Sequence, residues 1–222
     1  MVNLVDLIVR SAEQGIGNQR SDGSMPPGHN GPWLNPETPV RNTAHWAITF
    51  LEALQITGED RFKKAAIEAL NFLEGPLARP HNKTFHCREE GSKEQCNGLI
   101  GQAWTMEALI VGASRLEKPE LASLAMEVFK IHPFEPNLGL WEMVEIDGIP
   151  IGFKRTTNQQ VWFAVMGAEL AAFTKNKEAE QKVSLFLKNL PCILGTDEDG
   201  CFFHRFQLPD SVPVSREQRF LR

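Results

Sequence analysis

The chain has 222 residues, enough for one sizeable core, and its Lys+Arg 23 against Asp+Glu 28 leave a formal net charge of -5. That balance carries no basic footprint to neutralise phosphates or anionic lipid, which excludes nucleic acid and membrane surfaces as expected partners. Residues 1–14 lack both a signal-peptide pattern and a bilayer-length apolar run, and the four cysteines (Cys87, Cys96, Cys192, Cys201) fit no zinc spacing, so a cytoplasmic chain with reduced thiols, no metal and no cofactor is predicted.

In chain order, a helix is predicted over Leu4 to Gln14, followed by a long Gly- and Pro-bearing loop over residues 15–41. Trp46, Phe50, Leu51 and Leu54 then recur at three- and four-residue steps, Thr57 to Asp60 interrupt them, and Phe62, Ala65, Ala66, Ala69, Leu70 and Leu73 resume the period, which reads as helix, turn, helix. After a second loop, 75–96, one helix is predicted from Leu99 to Leu116; Lys118 and Pro119 stop and restart the chain, and another runs from Leu121 to Ile131. A third loop, 133–157, leads to a helix from about Gln159 to Phe173, a turn at Thr174 to Lys177, and a last helix through Val183, Phe186, Leu187 and Leu190. The tail from Val212 to Arg222 reads as the start of a further element.

Three of these helices open alike, with Asn and then Trp: Asn42-Thr-Ala-His-Trp46, Asn97-Gly-Leu-Ile-Gly-Gln-Ala-Trp104 and Asn158-Gln-Gln-Val-Trp162. Each is rich in Ala, Gly and Trp and poor in charge, whereas its partner carries the Lys and Glu residues. Low charge all round implies burial on most sides, so the first helix of each pair is inner and the second outer, the layering of an all-α toroid of repeated hairpins. Seven helices in one domain over residues 1–222 do not close a ring. The chain is therefore a truncated toroid, an open arc, or one that pairs with a second copy of itself.

The stretches Asp22-Gly-Ser-Met-Pro-Pro-Gly-His-Asn-Gly-Pro-Trp33, Pro39-Val-Arg-Asn-Thr-Ala-His-Trp46, Cys96-Asn-Gly-Leu-Ile-Gly-Gln-Ala-Trp104 and Asn158-Gln-Gln-Val-Trp-Phe-Ala164 resemble the six-hairpin glycosidase-like superfamily, whose fold is the α/α-toroid. Within it the chain is most similar to proteins encoded in polysaccharide-biosynthesis and archaeal glycosylation clusters. The resemblance implies a carbohydrate-active protein; the superfamily includes hydrolases, hydratases and sugar epimerases, so it does not fix the reaction. Unsaturated-uronyl hydrolases of this scaffold use an acidic residue on inner helices, where this chain carries Asn42, Asn97 and Asn158, which argues against simple hydrolysis. The Cys-and-His zinc motif of lanthionine-synthetase cyclases is absent.

If the inner helices aim their N-termini at one funnel, the residues opening them converge on a ligand. Candidates for binding a polyhydroxyl ligand are Arg41, Asn42, Asn97, Gln102, Asn158 and Gln160, whose amides both donate and accept, with Trp33, Trp46, Trp104, Trp141 and Trp162 as faces for sugar rings. Against this, Trp in a helical period is commonly core, and Asn before a helix is commonly a cap. His45 and His86 are candidate acid and base for removing a proton next to a carbonyl. Glu37, Glu90, Glu107, Glu142 and Asp147 are the candidate carboxyls for hydrolysis, Glu142 standing beside Trp141, and His204 stands in a strand-like run that could close the funnel. The expected function is that of a sugar epimerase or isomerase, or a glycoside hydrolase, acting on a uronic acid or amino sugar; the alternative is a non-catalytic helical-repeat module binding a protein or glycan in a glycan-biosynthesis complex.

Overall fold

The structure, a computed structural model, describes residues 3–30, 34–89, 91, 93–193, 198, 199 and 205. Among them are seven helices: α1 (Leu4–Asn18), α2 (Val40–Thr57), α3 (Asp60–Glu74), α4 (Gly98–Arg115), α5 (Pro119–Ile131), α6 (Thr157–Thr174) and α7 (Lys177–Ile193). Their ends follow local chemistry. Asn3 caps α1 by accepting from the Val5 N–H at 3.2 Å. The α2–α3 turn is made at Gly58, which takes φ 70° and donates its N–H to the Leu54 carbonyl, and Pro119 opens α5 where no N–H is needed.

Helices α2, α4 and α6 form the inner layer, with α4 between the other two, and α3, α5 and α7 each back onto the inner helix that precedes them. Helix α1 packs on the outer flank of α2. Twelve of the eighteen residues of α4 are buried, as a helix with neighbours on every side requires. The all-α hairpin architecture expected from the low-charge helices is present, as an arc. No helix among the described residues is long and apolar enough to cross a membrane.

The inner layer approaches the outer one closely. A Cβ on Gly167 of α6 would lie 2.7 Å from the Phe129 ring of α5, which itself stacks on Phe163 at 5.1 Å. Gly167→Ala should therefore cost about 1–3 kcal/mol through overpacking, read as a fall in the urea midpoint with an unchanged slope. An unchanged midpoint would show that the α5–α6 contact is looser than this packing implies.

The long loops are not structureless. They carry short antiparallel ribbons: β1 (His29–Asn30) with β2 (Asn35–Pro36), β3 (Phe134–Glu135) with β4 (Leu140–Trp141), and β5 (Met143–Val144) with β6 (Pro150–Gly152). Polar side chains near the start of each inner helix hold the loop before it. The Thr43 hydroxyl accepts from the Met25 N–H at 2.9 Å; the Gln102 amide accepts from Phe85 N–H and donates to the Phe85 and Cys96 carbonyls; Gln160 accepts from Trp141 N–H and donates to its carbonyl at 2.7 Å. Buried backbone groups in an irregular loop need such partners, and a side-chain amide supplies a donor and an acceptor together. Two isolated bridges bring a loop back to the entrance of the previous inner helix: Arg88 pairs with Glu37 before α2, and Arg205 with Thr156 before α6.

Candidate functional site

The open face is built from the first turns of the three inner helices. His45 on α2 meets Trp104 on α4 with ring centroids 5.5 Å apart, and Trp104 meets Trp162 on α6 edge-on at 6.5 Å. Since these residues lie in the second turn of their helices and form one row, the three helices enter from the same end. Arg41, one turn before His45, places its guanidinium 5.6 Å from the Trp104 ring centroid, a cation–π contact. The row is open: His45 and Trp162 are exposed and Trp104 is half-buried. Tryptophan faces beside a fixed cation and an imidazole suit a ring bearing hydroxyl or carbonyl oxygens.

Two carboxylates complete the electrostatics. Glu37, at 2 % exposure, pairs with Arg41 at 2.8 Å one helical turn away. Burial raises its carboxyl above the usual value, against the pull of Arg41 and Arg88. Glu107, one turn beyond Trp104, accepts the indole N–H of Trp162; burial raises its carboxyl, with that hydrogen bond opposing and Glu169 adding to the rise. The His45 imidazole is held below its ordinary value first by desolvation against its neighbours and then by the Arg41 charge. It is thus in its neutral form, able to accept a proton, at neutral pH.

The other expected site residues are distributed differently. Asn42 donates to the Pro26 carbonyl at 2.8 Å and holds the loop that precedes α2. Trp46 packs towards α1, against Phe50 at 5.7 Å. Asn97 takes a left-handed turn at φ 58° ahead of α4 and is buried, while Asn158 in the first turn of α6 is exposed. Gln102 and Gln160 are fully buried and occupied by loop backbone. Trp141, expected as a loop platform, lies instead on β4 in the core among Phe129, Phe134, Phe163 and Phe186, because its ribbon folds back onto the α5–α6 contact. Trp33, Glu90 and His204 lie outside the described residues.

His86 and Glu142 have their own surroundings. His86 is half-buried in the second loop with its Nε2 3.2 Å from the Gln95 amide nitrogen, beside the buried Arg88–Glu94 pair at 3.1 Å. Glu142 follows Trp141 with its carboxyl raised by burial and by Glu135, and its backbone carbonyl faces His132. These partners tie His86 to the second loop and Glu142 to the third, not to the row of His45, Trp104 and Trp162. No group of three or more His, Cys, Asp or Glu placed to hold a metal occurs among the described residues. Glu37, Glu107 and Trp162, all candidates from the sequence, lie on this face with Arg41, His45 and Trp104. Trp162 stood in the repeated Asn–Trp pattern; Glu107, an acid inside an apolar helix, signalled a buried partner.

No protein-family profile matches the chain. Over 204 residues it is 48% identical to archaeal glycosylation protein Q of Haloferax volcanii, a match that takes in 92% of this chain and 55% of that protein. The chain therefore spans about half the length of this relative. Among solved structures it is similar to a D-mannose isomerase, with a TM-score of 0.62 at 15% identity over 83% of this chain and 50% of the other. It is also similar to the cellobiose 2-epimerase from Spirochaeta thermophila, with a TM-score of 0.65 at 16% identity over 90% of this chain and 59% of the other. The chain thus has the helical-hairpin fold of the six-hairpin glycosidase-like proteins, as an incomplete arc, and its sequence is similar to that of an archaeal glycosylation protein.

Proposed function

We propose that this chain works in glycan biosynthesis and binds a sugar on the face formed by the first turns of α2, α4 and α6, as a sugar isomerase or epimerase. The observation that carries this reading is the row of His45, Trp104 and Trp162 with Arg41 against it: a neutral imidazole, two indole surfaces and a fixed cation on one open face. The likeness to an archaeal glycosylation protein and the shared fold with a mannose isomerase and a cellobiose epimerase support the same substrate class.

In this reading His45 removes the proton from the carbon next to the open-chain sugar carbonyl, and the electron pair moves into an enediolate. Arg41 stabilises the oxygen on which negative charge gathers. Return of the proton to the same carbon from the opposite face yields an epimer; its return to the former carbonyl carbon, with transfer of the hydroxyl proton, yields the aldose–ketose isomer. Because Glu37 already pairs with Arg41, the guanidinium is held in place before a ligand arrives.

The test is proton NMR in heavy water with mannose, glucose, cellobiose, glucuronic acid and N-acetylglucosamine. Loss of the C2 proton signal of one sugar is expected, with His45→Ala slowing that exchange about 100-fold or more while circular dichroism stays unchanged. New anomeric signals without C–H exchange would replace this reading by hydrolysis. Saturation transfer from the protein to a sugar without either change would replace it by a binding module.

A further inference from the structure

A chain of five charges joins the loops that lead into the inner helices. Arg41, in the first turn of α2, pairs with Glu37 of the first loop at 2.8 Å; Arg88 of the second loop pairs with Glu94 at 3.1 Å; and Lys154 of the third loop places its Nζ 3.7 Å from the same Glu94 oxygen. The two halves meet at the bridge of Glu37 to Arg88. This antiparallel pairing is flanked by hydrogen bonds from Thr38 N–H to the Cys87 carbonyl at 3.1 Å and from Glu89 N–H to the Pro36 carbonyl at 3.2 Å. Residues directly opposite in such a pairing carry their side chains on one face, so the Glu37 carboxylate has Arg41 on one side and Arg88 on the other.

In the order Arg41, Glu37, Arg88, Glu94, Lys154 the signs alternate, and only the first member reaches the open face. The Arg41 side chain is 23% exposed, whereas Glu37, Arg88 and Glu94 are buried. Ionic chains of this kind are a poor source of stability, because apolar residues of similar volume hold buried segments together without the loss of hydration. What apolar packing cannot do is fix the direction of a guanidinium. A carboxylate with a single partner follows that partner when it swings into water. One held from behind by a second cation stays where it is, and keeps the first cation with it. Arg88 also works with Arg41 against the effect of burial on the Glu37 carboxyl, so its removal favours the neutral acid, which holds a guanidinium less well.

We propose that Arg88, Glu94 and Lys154 are positioning residues for Arg41, acting through Glu37 to fix its guanidinium beside the Trp104 ring. Glu94 orients Arg88, Lys154 shares Glu94 from the entrance of α6, and Arg88 anchors Glu37, so the direction of one cation on the face is set by all three loops. That the fixed Arg41 then serves a sugar rests on the function proposed above; its fixation does not.

The first measurement needs no sugar. In the nitrogen-15-labelled chain the Arg41 Nε–H signal is identified by its loss in Arg41→Lys, and its position reports the ring current of Trp104. Arg88→Met is expected to move this signal towards that of a free arginine and to speed its exchange with water about 10-fold, and Arg88→Lys, which keeps the charge, to restore most of both. Lys154→Met, at the far end of the chain of charges, should shift the same signal in the same direction by less, and serves if Arg88→Met loses helical content. An Arg41 signal unmoved in the folded variants would overturn the proposal. The second measurement is C2 proton exchange of D-mannose in heavy water. Arg88→Met should lower kcat about 10- to 100-fold with KM little changed, and should have no further effect in an Arg41→Lys background. Equal losses in both backgrounds would overturn the proposal, since Arg88 would then only hold the loops together. If the unaltered chain exchanges no proton of mannose, it is the sugar reading that fails for mannose, and the Arg41 signal alone decides the positioning.

Discussion

Trp141→Ala is expected to lower stability by about 3–5 kcal/mol, seen as a large fall in the urea midpoint, whereas Trp162→Ala should change it by about 0.5 kcal/mol or less. Trp141 is fully buried, and four phenylalanines surround it with ring centroids between 4.8 and 5.7 Å from its own. Its removal empties a volume that rings from β3, α5, α6 and α7 cannot all collapse to fill. Gln160 fixes the Trp141 backbone from both N–H and C=O, which further limits relaxation of β4. The buried indole N–H has no hydrogen-bond partner among the described residues, so Trp141→Phe should recover most of the loss by keeping aromatic volume without that donor. Trp162, 40% exposed, has no such cavity to leave. A mild Trp141→Ala variant would mean that the third loop is not anchored in the core; a severe Trp162→Ala variant would mean that the Trp162 indole is packed against a partner.

These two tryptophans show what a sequence can and cannot convey about this fold. The helices were legible because their signals are local: a three- and four-residue apolar period, Gly58 and Pro119 as punctuation, and a contrast between inner and outer charge. The repeated Asn–Trp openings correctly marked the inner helices but suggested that their tryptophans share one environment. They do not, because the flanks differ: Trp46 has α1 to pack against, Trp104 sits mid-layer, and Trp162 is 40% exposed on α6. Glutamine is likewise ambiguous in sequence. Gln102 and Gln160 could serve a sugar or a backbone equally well, and only the path of residues 75–97 and 133–156 shows that loop backbone occupies them. Arg41 and His45 stand out by type and position, and Glu37 by its carboxyl, but the pairing of Glu37 with Arg41 is not legible locally, since it depends on how the first loop enters α2.

The second large effect is set by His132, and it appears as a loss of stability on acidification. Its ring is buried at the end of α5, edge-on to Phe163 at 4.7 Å, and its Nδ1 lies 3.0 Å from the Glu142 carbonyl, so the Nδ1–H tautomer donates there and Nε2 has no partner among the described residues. Burial pushes the imidazole down from 6.5 to about 4, with the bond to Glu142 working weakly the other way. The unfolded chain binds a proton at this residue as pH falls below about 6.5, and the folded chain does not until about pH 4. Stability from this group is therefore complete above about pH 6.5 and is lost progressively towards pH 4, by about 3 kcal/mol. Glu37, Glu107 and Glu142, whose carboxyls are raised by burial, act in the opposite sense: the folded chain takes up their protons first, and stability rises as pH falls through their folded values towards the ordinary carboxylate value. Comparing wild type with His132→Phe by urea unfolding at pH 7.5 and pH 4.5 isolates the histidine from these carboxyls. The wild type should lose more stability between the two conditions than the variant does, by about 2–3 kcal/mol, even though the variant is weaker at pH 7.5 for want of the bond to Glu142. Equal losses in the two proteins would show that the ring is hydrated or protonated in the folded state, and with it that the packing of the third loop against α5 and α6 is more open than the burial of Trp141 and Phe163 requires.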